Sequence, residues 1–132
     1  LSAKMLAKAE TRQAYDALEK AEFIAYLSPL KEAFDVILAA DALCYVGPIE
    51  AFSQNAISAL TPGGSLVATF EADKEGRDVH LDHTGRYTHG RDYLLSTFAA
   101  AGFVDVDCKP EVLRMEQGSP VDGWILTARR PS

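Results

Sequence analysis

Two short apolar runs limit what this chain can fold into. Residues 34–40 read FDVILAA and residues 65–70 read SLVATF. Neither run alternates apolar with polar, so neither suits a strand with one wet face. Continuous apolar runs of this length fit parallel strands covered on both faces. The segment between them reads as a helix. Gly47-Pro48 opens it with Pro at the first helical position, and Ile49, Phe52, Ala56, Ile57 and Leu60 share one side. Residues 61–64 (TPGG) end it. A strand, a helix and a second strand of this type predict a parallel pair joined by a right-handed crossover.

The flanking segments extend the pattern. Upstream, Ser2 caps an expected helix over residues 3–12, and residues 15–19 suggest a further helical turn. Residues 21–27 (AEFIAYL) form a short apolar run of strand type. Downstream, residues 90–101 read as a helix with Tyr93, Leu94 and Phe98 inward and Gly102 just past its end. Residues 103–108 (FVDVDC) alternate like a half-exposed strand, and residues 124–128 (WILTA) read as the last strand, with a turn at Gly118-Ser119-Pro120. No helix separates these two strands, so they should form an antiparallel hairpin at the sheet edge. Residues 71–89 are polar and hold all three histidines, His80, His83 and His89. Their length exceeds an ordinary connection and suggests a lid or binding segment.

Composition narrows the function classes. The 132 residues suit one small domain, 48% are apolar, and the formal net charge is −6. The longest basic cluster is the pair Arg129-Arg130, so no stripe for nucleic acid is expected. No run approaches the roughly 18 apolar residues of a membrane span. Cys44 and Cys108 lie in apolar surroundings without a CxxC partner and read as buried free thiols in a reducing cytoplasm. The first residue is Leu, which implies processing or a piece of something longer.

The ending, a parallel α/β sheet finished by an antiparallel hairpin, resembles class I S-adenosylmethionine-dependent methyltransferases. Residues 1–9 (LSAKMLAKA) resemble the segment after the second strand of that fold. Phe34-Asp35-Val36-Ile37 through Asp41-Ala42-Leu43 resemble its fourth strand, and residues 60–66 (LTPGGSL) the turn before its fifth. Residues 15–18 (YDAL), 85–89 (GRYTH) and 113–116 (LRME) further resemble a bacterial group of TPR-repeat-associated methyltransferases. The resemblance implies a Rossmann-like, mostly parallel sheet truncated at the N-terminus, with residues 1–132 forming a partial domain. The first two strands and the G-x-G-x-G loop are absent. The same loop would be needed by a nicotinamide oxidoreductase, and no Tyr-x-x-x-Lys pair occurs either. In the family order 3-2-1-4-5-7-6, residues 34–40 would then be left at an edge, and association into a homodimer is expected.

Function follows as a further expectation: methyl transfer from S-adenosylmethionine to a small-molecule acceptor, within a longer parent chain. The alternative is a non-catalytic remnant acting as an interaction or regulatory module. By resemblance, Met5 faces the adenine ring, Glu22 and Phe23 lie at its amino group, and Ala40 borders the cofactor. Asp41 ends the fourth strand, where a carboxylate would orient or deprotonate a nucleophile or else cap a turn. Tyr45 would line the substrate cavity or simply pack. Arg86, Tyr87 and His89 are the candidate acceptor contacts, Arg86 as a bidentate anchor for an anionic or aromatic substrate. His80-x-x-His83 is at most half of a zinc site, so no metal is expected.

Overall fold

The computed structural model describes residues 30–132. The expected helices and strand before residue 30, with Met5, Glu22 and Phe23, lie outside that range. The described elements are β1 (Phe34–Ala39), a 3-10 turn (Leu43–Tyr45), α1 (Glu50–Ala59), β2 (Leu60–Ala72), β3 (Val79–Leu81), β4 (Tyr87–His89), α2 (Arg91–Ala100), β5 (Val104–Glu116) and β6 (Ser119–Arg129).

They build one mixed six-stranded sheet around β2. The parallel pair anticipated from the two apolar runs is present, Val36 opposite Ser65 and Ala39 opposite Ala68. On the other side of β2 lies β6, antiparallel, and β5 pairs antiparallel beyond it. The last strand is thus inserted inside the hairpin partner that precedes it, the relation of strands four, five, seven and six in the Rossmann-like order. Gln117 (φ 50) and Gly118 (φ 80) form the hairpin turn between Glu116 and Ser119. Both φ values are positive, as a two-residue type I′ turn requires. The turn therefore falls one residue before the expected Gly118-Ser119-Pro120, and Pro120 belongs to β6.

Phe52, Phe70 and Phe98 fill the centre with Ile37, Leu66, Leu94 and Leu126, all essentially without solvent contact. Phe98 meets both Phe52 and Phe70 edge-on at 6.2 Å. Such pairs add to plain area burial. The end of α2 is a complete Schellman motif. Gly102 (φ 109) donates to Ala99 O, Phe103 donates to Phe98 O, and the two phenyl rings touch at 5.6 Å. Leu94 and Phe98 face inward as anticipated, while Tyr93 is only half-buried.

Two expectations are corrected. Pro48 is not the first helical residue: α1 begins at Glu50 with Ile49 as its cap. Ile49 N donates to the Tyr93 hydroxyl (2.9 Å), which in turn donates to Glu50 Oε1 (2.9 Å). A side chain from α2 thereby does the capping that no residue of α1 supplies. Residues 71–89 are also not an unstructured stretch. β4 adds parallel to the far end of β2, Glu71 opposite Thr88, and β3 pairs with β4. Three-residue strands reading VHL and YTH carry too little apolar alternation to be seen in a sequence.

Candidate functional site

Parallel sheets present their ligand-binding positions at the carboxyl ends of the strands. At the end of β1, Ala40 is half-buried and Asp41 adopts a left-handed backbone, φ 57. Aspartate tolerates that region better than most residues, yet it is strained for any side chain. The turn is held by Asp41 N donating to Thr69 Oγ1 of β2 at 3.0 Å. The Asp41 side chain is 64% exposed and points to a network of charges.

Arg114 of β5 occupies the centre of that network. Its Nη2 donates to Glu71 Oε2 at 3.0 Å, its Nε to Glu116 Oε1 at 3.3 Å, and its Nη1 lies 3.4 Å from Asp41 Oδ1. Arg86, just before β4, closes a two-toothed pair on Glu116, Nη1 to Oε1 at 2.8 Å and Nη2 to Oε2 at 2.7 Å. Its Nε lies 3.1 Å from Glu71 Oε2, near enough for charge attraction but out of line for a hydrogen bond. The paired guanidinium groups hold the Glu116 carboxyl below its usual range, Arg86 foremost. A bulge in β5 between Val112 and Arg114 sets this face. Downstream of it Arg114 and Glu116, two residues apart on one strand, turn to the same side.

Beside the network lies a cavity of about 480 Å³ walled by residues of β2, of the β2–β4 segment and of the β5–β6 hairpin. Its carboxylates are Glu71, Asp73, Glu75, Asp82, Glu116 and Asp122, and its cations Lys74, Arg77 and Arg86. Asp73 is locked: Arg77 donates to it from backbone and side chain, and Thr88 Oγ1 donates at 2.9 Å. These bonds, led by the Arg77 side chain, lower its carboxyl to about 2.

Arg86 is therefore at the site, but its fork is filled by Glu116. It is not an open anchor for an anionic substrate. Tyr45 lies half-buried in the 3-10 turn after Asp41. The Tyr87 ring covers Gly47 so closely that a Cβ there would come within 2.9 Å of it. His89 is a core residue, not a loop residue. Its ring has no solvent contact, Nε2 donates to Gly47 O at 2.8 Å, and Phe70 meets it edge-on at 5.2 Å. Burial pushes its pKa down, and the buried Nδ1 has no partner, so the ring is neutral. Both cysteines are buried free thiols, Cys44 pushed up to about 12 and Cys108 to about 11, chiefly by burial. Among the described residues no group of three or more His, Cys, Asp or Glu could hold a metal, and no helix is long and apolar enough to cross a membrane.

Glu71, Arg114 and Glu116 were not named as site residues from the sequence, although residues 113–116 carried part of the family resemblance. A signal was available: Arg114 and Glu116 share a strand face, and Glu71 is the first charge after an apolar strand, at its carboxyl end.

No family model and no curated protein matches the sequence. Solved structures do share its fold. Phosphoethanolamine N-methyltransferase 2 of Haemonchus contortus, solved with phosphomonomethylethanolamine and S-adenosylhomocysteine, superposes with a TM-score of 0.61 at 12% identity, over 77% of this chain and 34% of that one. A SAM-dependent methyltransferase of Methanosarcina mazei gives 0.60 at 14% identity, over 77% and 61%. The 1,6-didemethyltoxoflavin-N1-methyltransferase of Burkholderia thailandensis gives 0.61 at 23% identity, over 80% and 48%. At these identities the likeness is one of fold, and the chain spans less than two thirds of each of these relatives' length.

Proposed function

We propose that this chain forms the acceptor side of an S-adenosylmethionine-dependent methyltransferase acting on a small molecule. The observation that carries the reading is the left-handed Asp41 at the end of β1, joined through Arg114 to Glu71 at the end of β2, in a fold shared with methyltransferases. S-adenosylmethionine would supply an electrophilic methyl group, with the small, half-buried Ala40 at the end of β1 as a proposed border of its site. The chain's own contribution is placement. A bound acceptor held between Asp41 and the cavity wall gains most of its rate from orientation. Asp41 is the group positioned to receive a proton from the acceptor. Met5, Glu22 and Phe23 remain the proposed adenine contacts, and Tyr45 and Tyr87 proposed walls of the acceptor site.

Calorimetric titration of the full-length parent with S-adenosylhomocysteine tests the reading. Binding in the micromolar range is expected. An absence of binding by a folded parent would overturn it in favour of a non-catalytic interaction module.

A further inference from the structure

The segment from Asp41 to Ile49 joins β1 to α1 and carries both the proposed proton acceptor and the proposed wall residue Tyr45. Its internal backbone bonds are those of the 3-10 turn, Tyr45 N to Ala42 O and Val46 N to Leu43 O. Among the described residues its backbone is tied to β2, β4 and α2 at three places, and each tie is a side chain. Thr69 Oγ1 accepts from Asp41 N at 3.0 Å, His89 Nε2 donates to Gly47 O at 2.8 Å, and the Tyr93 hydroxyl accepts from Ile49 N at 2.9 Å. Pro48, between the last two, has no N–H to add.

Those last two anchors act as one unit. The His89 and Tyr93 rings stack, 6.4 Å between centroids and 10° between planes. His89 is itself fixed, because its carbonyl receives Asp73 N and Trp124 Nε1, both at 3.0 Å. The imidazole is a costly choice for this place. A carbonyl only accepts, so Nε2 carries the ring proton, and the bare Nδ1 is buried without a partner. A phenyl ring would fill the same space without stranding a nitrogen. What the imidazole adds is a donor for the carbonyl of the buried Gly47, and leaving such a group unpaired is expensive.

We propose that His89 and Tyr93 are a positioning pair for the acceptor side: together they fix the segment between β1 and α1 at Gly47 and Ile49, and so set where Asp41 and Tyr45 stand. The pair touches no reacting atom and acts through the segment it holds. Its weight in catalysis rests on the methyltransferase reading, but the clamp itself does not.

Amide hydrogen exchange of the isotope-labelled chain, followed by NMR at one fixed pH, tests this. His89→Phe keeps a ring in the core but removes the donor. It should speed exchange at Val46 and Ile49 about tenfold relative to Leu66 and Leu126 in the core strands, the effect of losing one hydrogen bond locally. His89→Gln, whose side-chain amide can again donate to Gly47 O, should restore most of that protection. A residue that merely fills the core would not separate the two variants in this way. Tyr93→Phe alters only the half-buried partner of the pair, and should speed exchange at Val46 although the Val46 bond to Leu43 O is untouched. The ring nitrogens of the unaltered chain give a check that needs no variant: a proton on Nε2 and a bare Nδ1 are expected in their chemical shifts. Unchanged exchange in both phenylalanine variants, equal losses in His89→Phe and His89→Gln, or a proton on Nδ1 would each overturn the proposal. The expected pattern of exchange in a parent that ignores S-adenosylhomocysteine would instead sink the methyltransferase reading and leave the clamp standing.

Discussion

Arg114 and Asp41 meet across the end of the sheet, Nη1 to Oδ1 at 3.4 Å, although 73 residues separate them in the chain. Arg114 is brought there by the bulge in β5, Asp41 by a left-handed turn that ends β1. The contact is partly solvated at Asp41 and contributes little energy by itself. Its worth is geometric, because the same guanidinium also holds the buried Glu71.

Replacing Arg114 by Ala should therefore cost stability mainly through Glu71. A buried carboxylate would lose one of its two cationic partners, at a cost of about 1–3 kcal/mol. Urea unfolding of the variant checks this. A midpoint equal to that of the unaltered protein would show that Arg86 alone satisfies Glu71.

Asp41→Asn addresses the proton-accepting role. If the proposed methyl transfer holds, a methyl-transfer assay of the parent protein with this substitution should show turnover lowered by about a hundredfold, the usual weight of a general base, and affinity for S-adenosylhomocysteine within twofold. Asparagine tolerates the left-handed backbone about as well as aspartate, so the fold should survive. Unchanged turnover with a lowered melting temperature would make Asp41 a structural turn residue.

The Asp73–Arg77 lock predicts acid sensitivity. The Asp73 side chain is 2% exposed, and its carboxyl falls from an ordinary 3.8 to about 2. A depressed folded pKa stabilises the protein above the unfolded value, and this contribution disappears as pH falls from about 4 through about 2. Asp73→Asn removes that contribution. The melting temperature of the variant should thus fall less between pH 4.5 and 2 than that of the unaltered protein. Parallel melting curves would show that Asp73 is not the group responsible.

The parts of this fold that were legible in the sequence are those where one physical signal dominates. Residues 34–39 and 65–70 were readable as strands because each is a nearly continuous apolar run between turn signals, although the expected cover on both faces of residues 34–39 is not met among the described residues, where Val36 and Leu38 are exposed. Gly102 was readable because only glycine enters the Schellman position cheaply. β3 and β4 were not, since their pairing is decided by the far end of β2 and not by their own six residues. The site was half legible. Asp41 and Arg86 could be named from position and type, but not that Glu116 would fill the Arg86 fork, because that pairing depends on where a hairpin tip lands. His89 looked like a loop histidine for the same reason: burial beneath Gly47 comes from β4 joining the sheet.

The remaining prediction concerns β1. Among the described residues it pairs only with β2, so one row of its N–H and C=O groups has no strand beside it. Its outward side chains Val36 and Leu38 are apolar and 47% and 37% exposed. Protected edges are short, charged or covered, and this one carries only Asp35 as a charge. We propose that two chains associate through it as a homodimer. A dimer or larger species is expected in light scattering of the 132-residue chain. Val36→Lys places a charge on the edge without touching the buried face, and should shift the population toward monomer while leaving the melting transition in place. If the unaltered chain is a stable monomer at high concentration, the edge is covered within the chain itself, and the homodimer is ruled out.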